Sequence, residues 1–102
     1  MTERCVLIEI QALPDPVDQR ELLELVLAAA SLELSITVLL GRDAVDLFQG
    51  AAGAGWRQLL DHDLARVGVI ADPASGRLPS GLELIDERQR EKLARECVVI
   101  RA

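Results

Sequence analysis

Tyrosine is absent from this chain, and Phe48 and Trp56 are its only aromatic residues. Two aromatics make a poor platform for stacked bases. Positive charge is also sparse: eleven Lys and Arg are dispersed among seventeen Asp and Glu, for a net charge of −6. A nucleic-acid surface needs a basic face that neutralises phosphates. Direct nucleic-acid binding is therefore not expected. No apolar run approaches the roughly 20 residues that a bilayer requires. Met1 to Arg4 are followed by only four apolar residues before Glu9, which does not read as a signal peptide. There are only two cysteines, Cys5 and Cys97, and they form no Cys-x-x-Cys pair. The expectation is a cytoplasmic protein with both thiols reduced and no membrane contact.

What is present is aliphatic. Half of the 102 residues are apolar, so the core must be built from Leu, Val, Ile and Ala. A chain of this length makes one domain, here residues 1–102, and buries roughly 60–70% of the surface its unfolded form exposes. The apolar content is high for that size, which leaves some of it for an interface with a partner.

The apolar residues alternate between two patterns. Cys5 to Ile10 is a short, branched, apolar run and predicts a strand buried on both faces, ended by Pro14 and Pro16. Asp18 and Glu21 have capping-box spacing, and a helix follows to about Ser31. Ser35 to Leu40 predicts a second strand, parallel to the first through a right-handed crossover. Gly41 to Asp43 is its turn, with Asp43 placed to cap a short helix through Val45, Leu47 and Phe48.

Gly50 to Gly55 reads as a linker before a helix from Trp56 to about Ala65. Arg66 to Ala71 predicts a third strand, and Asp72 to Gly81, with Pro73, Gly76, Pro79 and Gly81, predicts a loop. Leu82 to Ile85 is a short fourth strand near an edge. Asp86 and Gln89 cap a surface helix from Glu87 to Glu96, and Cys97 to Ile100 is the last strand. The pattern is that of a three-layer α/β/α sandwich around a mostly parallel sheet of about five strands.

In such sheets ligands sit beyond the carboxyl ends of the strands. Three segments lie there: Gln11 to Val17, Gly41 to Asp43, and Asp72 to Gly81. Ser75 and Ser80 in the third have no histidine partner nearby in sequence, so neither reads as a nucleophile. His62, the single histidine, lies between Asp61 and Asp63. Consecutive helical residues point apart, and a metal pair on a helix needs ligands at i and i+4. No metal is expected there. Gly50 to Gly55 is not Gly-x-Gly-x-x-Gly and follows no strand, so it is not a phosphate loop.

Cys97 follows Arg95, which would lower a thiol pKa if adjacent in space, and Glu96, which would raise it. Both cysteines read first as structural, with Cys97 the one candidate for thiol chemistry. Two cysteines so far apart in sequence make no zinc site. No cofactor is expected.

Three stretches resemble the DsrE-like superfamily, which includes the sulfur-relay subunits TusB, TusC and TusD and the sulfur-oxidation proteins DsrE, DsrF and DsrH. Arg20 to Ser31 is similar to the first helix of TusC-like members. Ile36 to Leu40 followed by Gly41-Arg42-Asp43-Ala44-Val45 resembles their strand ending in an Asp-Gly-Val turn, with Ala44 at the family's glycine. Leu84-Ile85-Asp86 through Leu93 to Ile100 resembles the closing helix and strand of TusC- and TusB-like chains. The resemblance implies a flavodoxin-like fold and assembly with paralogous subunits, or with itself. In sulfur-carrying members a cysteine just after the third strand accepts sulfur as a persulfide. The corresponding stretch here is Val69-Ile70-Ala71-Asp72-Pro73-Ala74, without one. The chain is then expected to be a non-catalytic subunit of a sulfur-relay complex. An enzyme carrying a persulfide on Cys97 and a small regulatory binding domain are the competing expectations.

Overall fold

The computed structural model describes residues 5–48, 53–70 and 81–102. Five strands form one sheet: β1 (Cys5–Ala12), β2 (Ser35–Asp43), β3 (Arg66–Val69), β4 (Glu83–Leu84) and β5 (Val98–Arg101). Their order is β4-β3-β2-β1-β5, and every pairing is parallel. Among the described residues three α-helices connect them: α1 (Pro16–Ser31), α2 (Ala54–Asp61) and α3 (Glu87–Glu96).

The strands β1 to β4 step outward in one direction, and α3 then carries the chain back across the sheet to place β5 on the far side of β1. Alternate side chains of a strand point to opposite faces, and the two faces are covered differently. Ile8, Ile10, Val38, Leu40, Val67 and Val69 pack under α1 and α2, against Val26, Trp56 and Leu59. Leu7 and Leu39 pack on the other face with Ile85, beside Leu93 and Ala94 of α3. Helices on both faces of a parallel sheet make the three-layer α/β/α sandwich that the sequence predicts. Phe48 and Trp56, the two aromatics, meet in the first layer with ring centroids 5.8 Å apart.

Several boundaries differ from the sequence reading, each for a local reason. Asp15, not Asp18, caps α1: its carboxylate accepts from the Asp18 N–H at 2.9 Å, and Pro16 occupies the first helical position, where no N–H is needed. The residues after β2 form a 3-10 turn, Val45–Phe48, while β2 itself runs on to Asp43. The helix expected to reach Ala65 stops at Asp61. Asp63 there adopts φ 52°, and the Leu64 N–H donates to the Leu59 carbonyl at 2.8 Å. α1 ends the same way, with Glu33 at φ 62° and the Leu34 N–H donating to Ala29. These are Schellman endings made without glycine, so the usual stop signal is missing from the sequence.

The capping box on α3 is as predicted, with Asp86 accepting from the Gln89 N–H at 2.8 Å and Gln89 accepting from the Asp86 N–H at 3.1 Å. The fourth strand is short and at an edge, and the last strand lies at the opposite edge. Residues 50–52 of the linker, and residues 71–80 of the expected loop with Ser75 and Ser80, lie outside the described residues, while Ala54 and Gly55 already belong to α2. No helix among the described residues is long and apolar enough to cross a membrane.

Candidate functional site

Of the three segments expected at the carboxyl ends of the strands, the first two meet. Ala12 pairs with Asp43 after a register shift beyond Ile10. The backbones there pass so closely that a Cβ on Gly41 would lie 2.7 Å from the Gln11 carbonyl oxygen. That contact requires glycine at position 41.

The polar feature here is Glu9, which the sequence places inside the first strand and which was not among the candidate site residues. Glu9 is 2% exposed, on the face of β1 covered by α3. Arg90, on the first turn of α3, brings Nε to 3.3 Å and Nη2 to 3.1 Å of Glu9 Oε2. Its Nη1 donates to Glu87 at 2.9 Å. Arg101 Nε stands 3.7 Å from Glu9 Oε1, which has no hydrogen-bond partner among the described residues. The hydrogen bond and charge of Glu9 raise the Arg90 pKa above the ordinary arginine value, against the smaller opposing effect of burial. A carboxylate held between two guanidinium groups docks a helix onto a sheet. Its sequence signal was an acid in the middle of an otherwise apolar strand.

At the opposite end of the sheet the two cysteines come together. Cys5 opens β1 and Cys97 links α3 to β5, with Cα atoms 4.8 Å apart and the two sulfurs bonded as a disulfide. The expectation of two reduced thiols is corrected by this bond. Parallel pairing of Val6 with Val98 places the preceding residues side by side, so positions 92 apart in sequence become neighbours. The pair lines a groove of about 1100 Å³ along the amino ends of the strands, together with Thr37, Arg66, Glu83 and Glu96. Arg66 of β3 pairs with Glu83 of the neighbouring β4, and both line that groove. Arg95 does not face the cysteine: its Nε donates to the Glu91 carbonyl one helical turn back, at 3.4 Å.

His62 is exposed and forms the C-cap of α2, in the turn that ends that helix. No group of three or more His, Cys, Asp or Glu among the described residues is arranged to hold a metal.

Five parallel strands with helices on both faces define a flavodoxin-like α/β fold. Among solved structures the chain is similar to the crystal structure of the ychN protein from E. coli, with a TM-score of 0.69 and 16% sequence identity over 100% of each chain. At that identity the likeness shows the fold. No family model matches the chain, and no curated protein matches it.

Proposed function

We propose that this chain is a non-catalytic subunit of a sulfur-relay complex of the TusBCD or DsrEFH type, serving sulfur transfer such as tRNA 2-thiouridine formation or sulfur oxidation, in the cytoplasm. The observation that carries the reading is the DsrE-like fold combined with a third strand that leads into Ile70-Ala71-Asp72-Pro73-Ala74, without a thiol. Sulfane sulfur is held by a thiolate, and no other side chain substitutes.

Cys97 is a poor alternative carrier. Its sulfur is bonded to Cys5, and a persulfide formed there would lie beside a second thiol able to displace it as sulfide. Apolar side chains also remain on the surface around α1. Leu13 and Val17 are 47% and 65% exposed, and Leu22, Leu25 and Ala102 line a hollow of about 360 Å³. In this reading that surface meets a paralogous subunit.

Native mass spectrometry of the tagged protein recovered from its own cells tests the proposal. Recovery with small α/β subunits, one bearing a cysteine after its third strand, supports it. A monomer or a plain homo-oligomer overturns it and moves weight to a catalytic or regulatory role.

A further inference from the structure

The Cys5–Cys97 bond fastens the first strand to the last, and the unit that it fastens is thinly attached. No residue of α3 is fully buried. β5 lies at the sheet edge, pairs with β1 alone, and leaves Val98 67% exposed. Leu93, Ala94 and Val99 pack partly buried on Leu7 and Leu39. Three links of another kind hold the unit: the Glu9–Arg90 and Glu9–Arg101 ion pairs toward one end and the disulfide at the other. Both cysteines are half-buried and line the groove.

We propose that Cys5–Cys97 is a redox modification site whose substrate is a dithiol reductant, and that its opening releases α3 and β5 from β1. One thiolate of the dithiol attacks a cysteine Sγ. The S–S bond breaks, and its electron pair leaves on the other Sγ, which takes a proton. The second thiol of the dithiol then displaces the protein from the mixed disulfide. The protein gains two electrons and two protons, and the dithiol becomes a disulfide. Release uncovers Glu9, Leu7 and Leu39 on the face that α3 covers, while β1, β2 and β3 stay paired under α1 and α2. Of the charged side chains lining the groove among the described residues, Asp63, Glu83 and Glu96 are acidic and Arg66 alone is basic, so the groove carries net negative charge. A neutral dithiol therefore opens the bond faster than a polyanionic thiol at equal thiolate concentration. The site is independent of whether the chain serves a sulfur-relay complex.

Hydrogen exchange on the full chain, before and after treatment with dithiothreitol under native conditions, tests this, with intact mass reporting the bond. The expected result is a mass gain of two hydrogens and a rise of about tenfold or more in exchange for the β5 amides, with the β1–β2 ladder changing much less. Cys97→Ser should show the same pattern with no reductant. Three results would overturn the proposal: free thiols in the air-oxidised protein, a bond that resists the dithiol in the native state, or a β5 exchange that is unchanged or that rises equally with every other strand.

Discussion

Arg90 sets both its Nε and its Nη2 against one oxygen of Glu9, at 3.3 and 3.1 Å, and so pins α3 to the middle of β1. The residues stand 81 apart in sequence. Glu9 is buried, whereas the Arg90 side chain is 24% exposed, so the two partners are not equivalent. Removing the arginine strands a buried charge, while neutralising the acid leaves an arginine able to turn toward water.

Arg90→Ala is therefore expected to cost about 2 kcal/mol in urea unfolding, below the ~3–5 kcal/mol for breaking a fully buried pair because Arg101 remains near Glu9. Glu9→Gln should cost less. The raised pKa of Arg90 means that its contribution is fully present at every pH below the ordinary arginine value and is lost only as pH rises beyond it. The stability gap between wild type and Arg90→Ala should show no change arising from the arginine across neutral and mildly alkaline pH. A gap that collapsed there would mean that the guanidinium charge is not what Glu9 needs.

Gly68 lies where β3 faces Ile85. A Cβ at this position would overlap Ile85 Cδ1 and fall 2.6 Å from Cγ1, and Ile85 is only 1% exposed. Gly68→Ala should destabilise by about 1–3 kcal/mol through overpacking. Adding Ile85→Val removes Cδ1 and should recover part of the loss, although Ile85→Val alone costs about 1 kcal/mol. A double-mutant cycle with zero coupling would refute the contact.

Glu33 holds φ at 62° in the Schellman turn that ends α1, a conformation that glycine adopts without a Cβ penalty. Glu33→Gly should raise stability by up to about 1 kcal/mol, less what the freer unfolded chain takes back. Thermal unfolding at matched ionic strength reads this directly, and a clear loss would count against the left-handed turn.

Leu25 is 44% exposed on α1 and lines the hollow beside Ala102. Leu25→Glu should leave the stability of the isolated chain within about 0.5 kcal/mol, as for an exposed position. In sedimentation of the assembled protein it should weaken or abolish the complex. Unchanged assembly would show that this hollow is not part of the interface.

The alternation of branched apolar runs with helical stretches determined the element order, the α/β class and the parallel crossovers, because period-2 and period-3.6 burial are local properties of the chain. The box on α3 was equally legible, since Asp86 and Gln89 supply both hydrogen bonds within one turn. Helix ends were less so. The Schellman turns at Glu33 and Asp63 carry no glycine, and their positive φ comes from hydrogen bonding to the preceding turn.

Only the tertiary structure decided the features with chemistry in them. Strand order depends on where α3 crosses back, and no local signal fixes that. Once β5 pairs with β1 in the register of Val6 with Val98, Cys5 and Cys97 must meet, and Arg101 comes opposite Glu9. α3, crossing above, then brings Arg90 to the same carboxylate. A bond between positions 92 apart and a buried ion pair between positions 81 apart both follow from that one pairing and its covering helix. Sequence separation hid them because proximity of this kind is set by packing of the whole sheet.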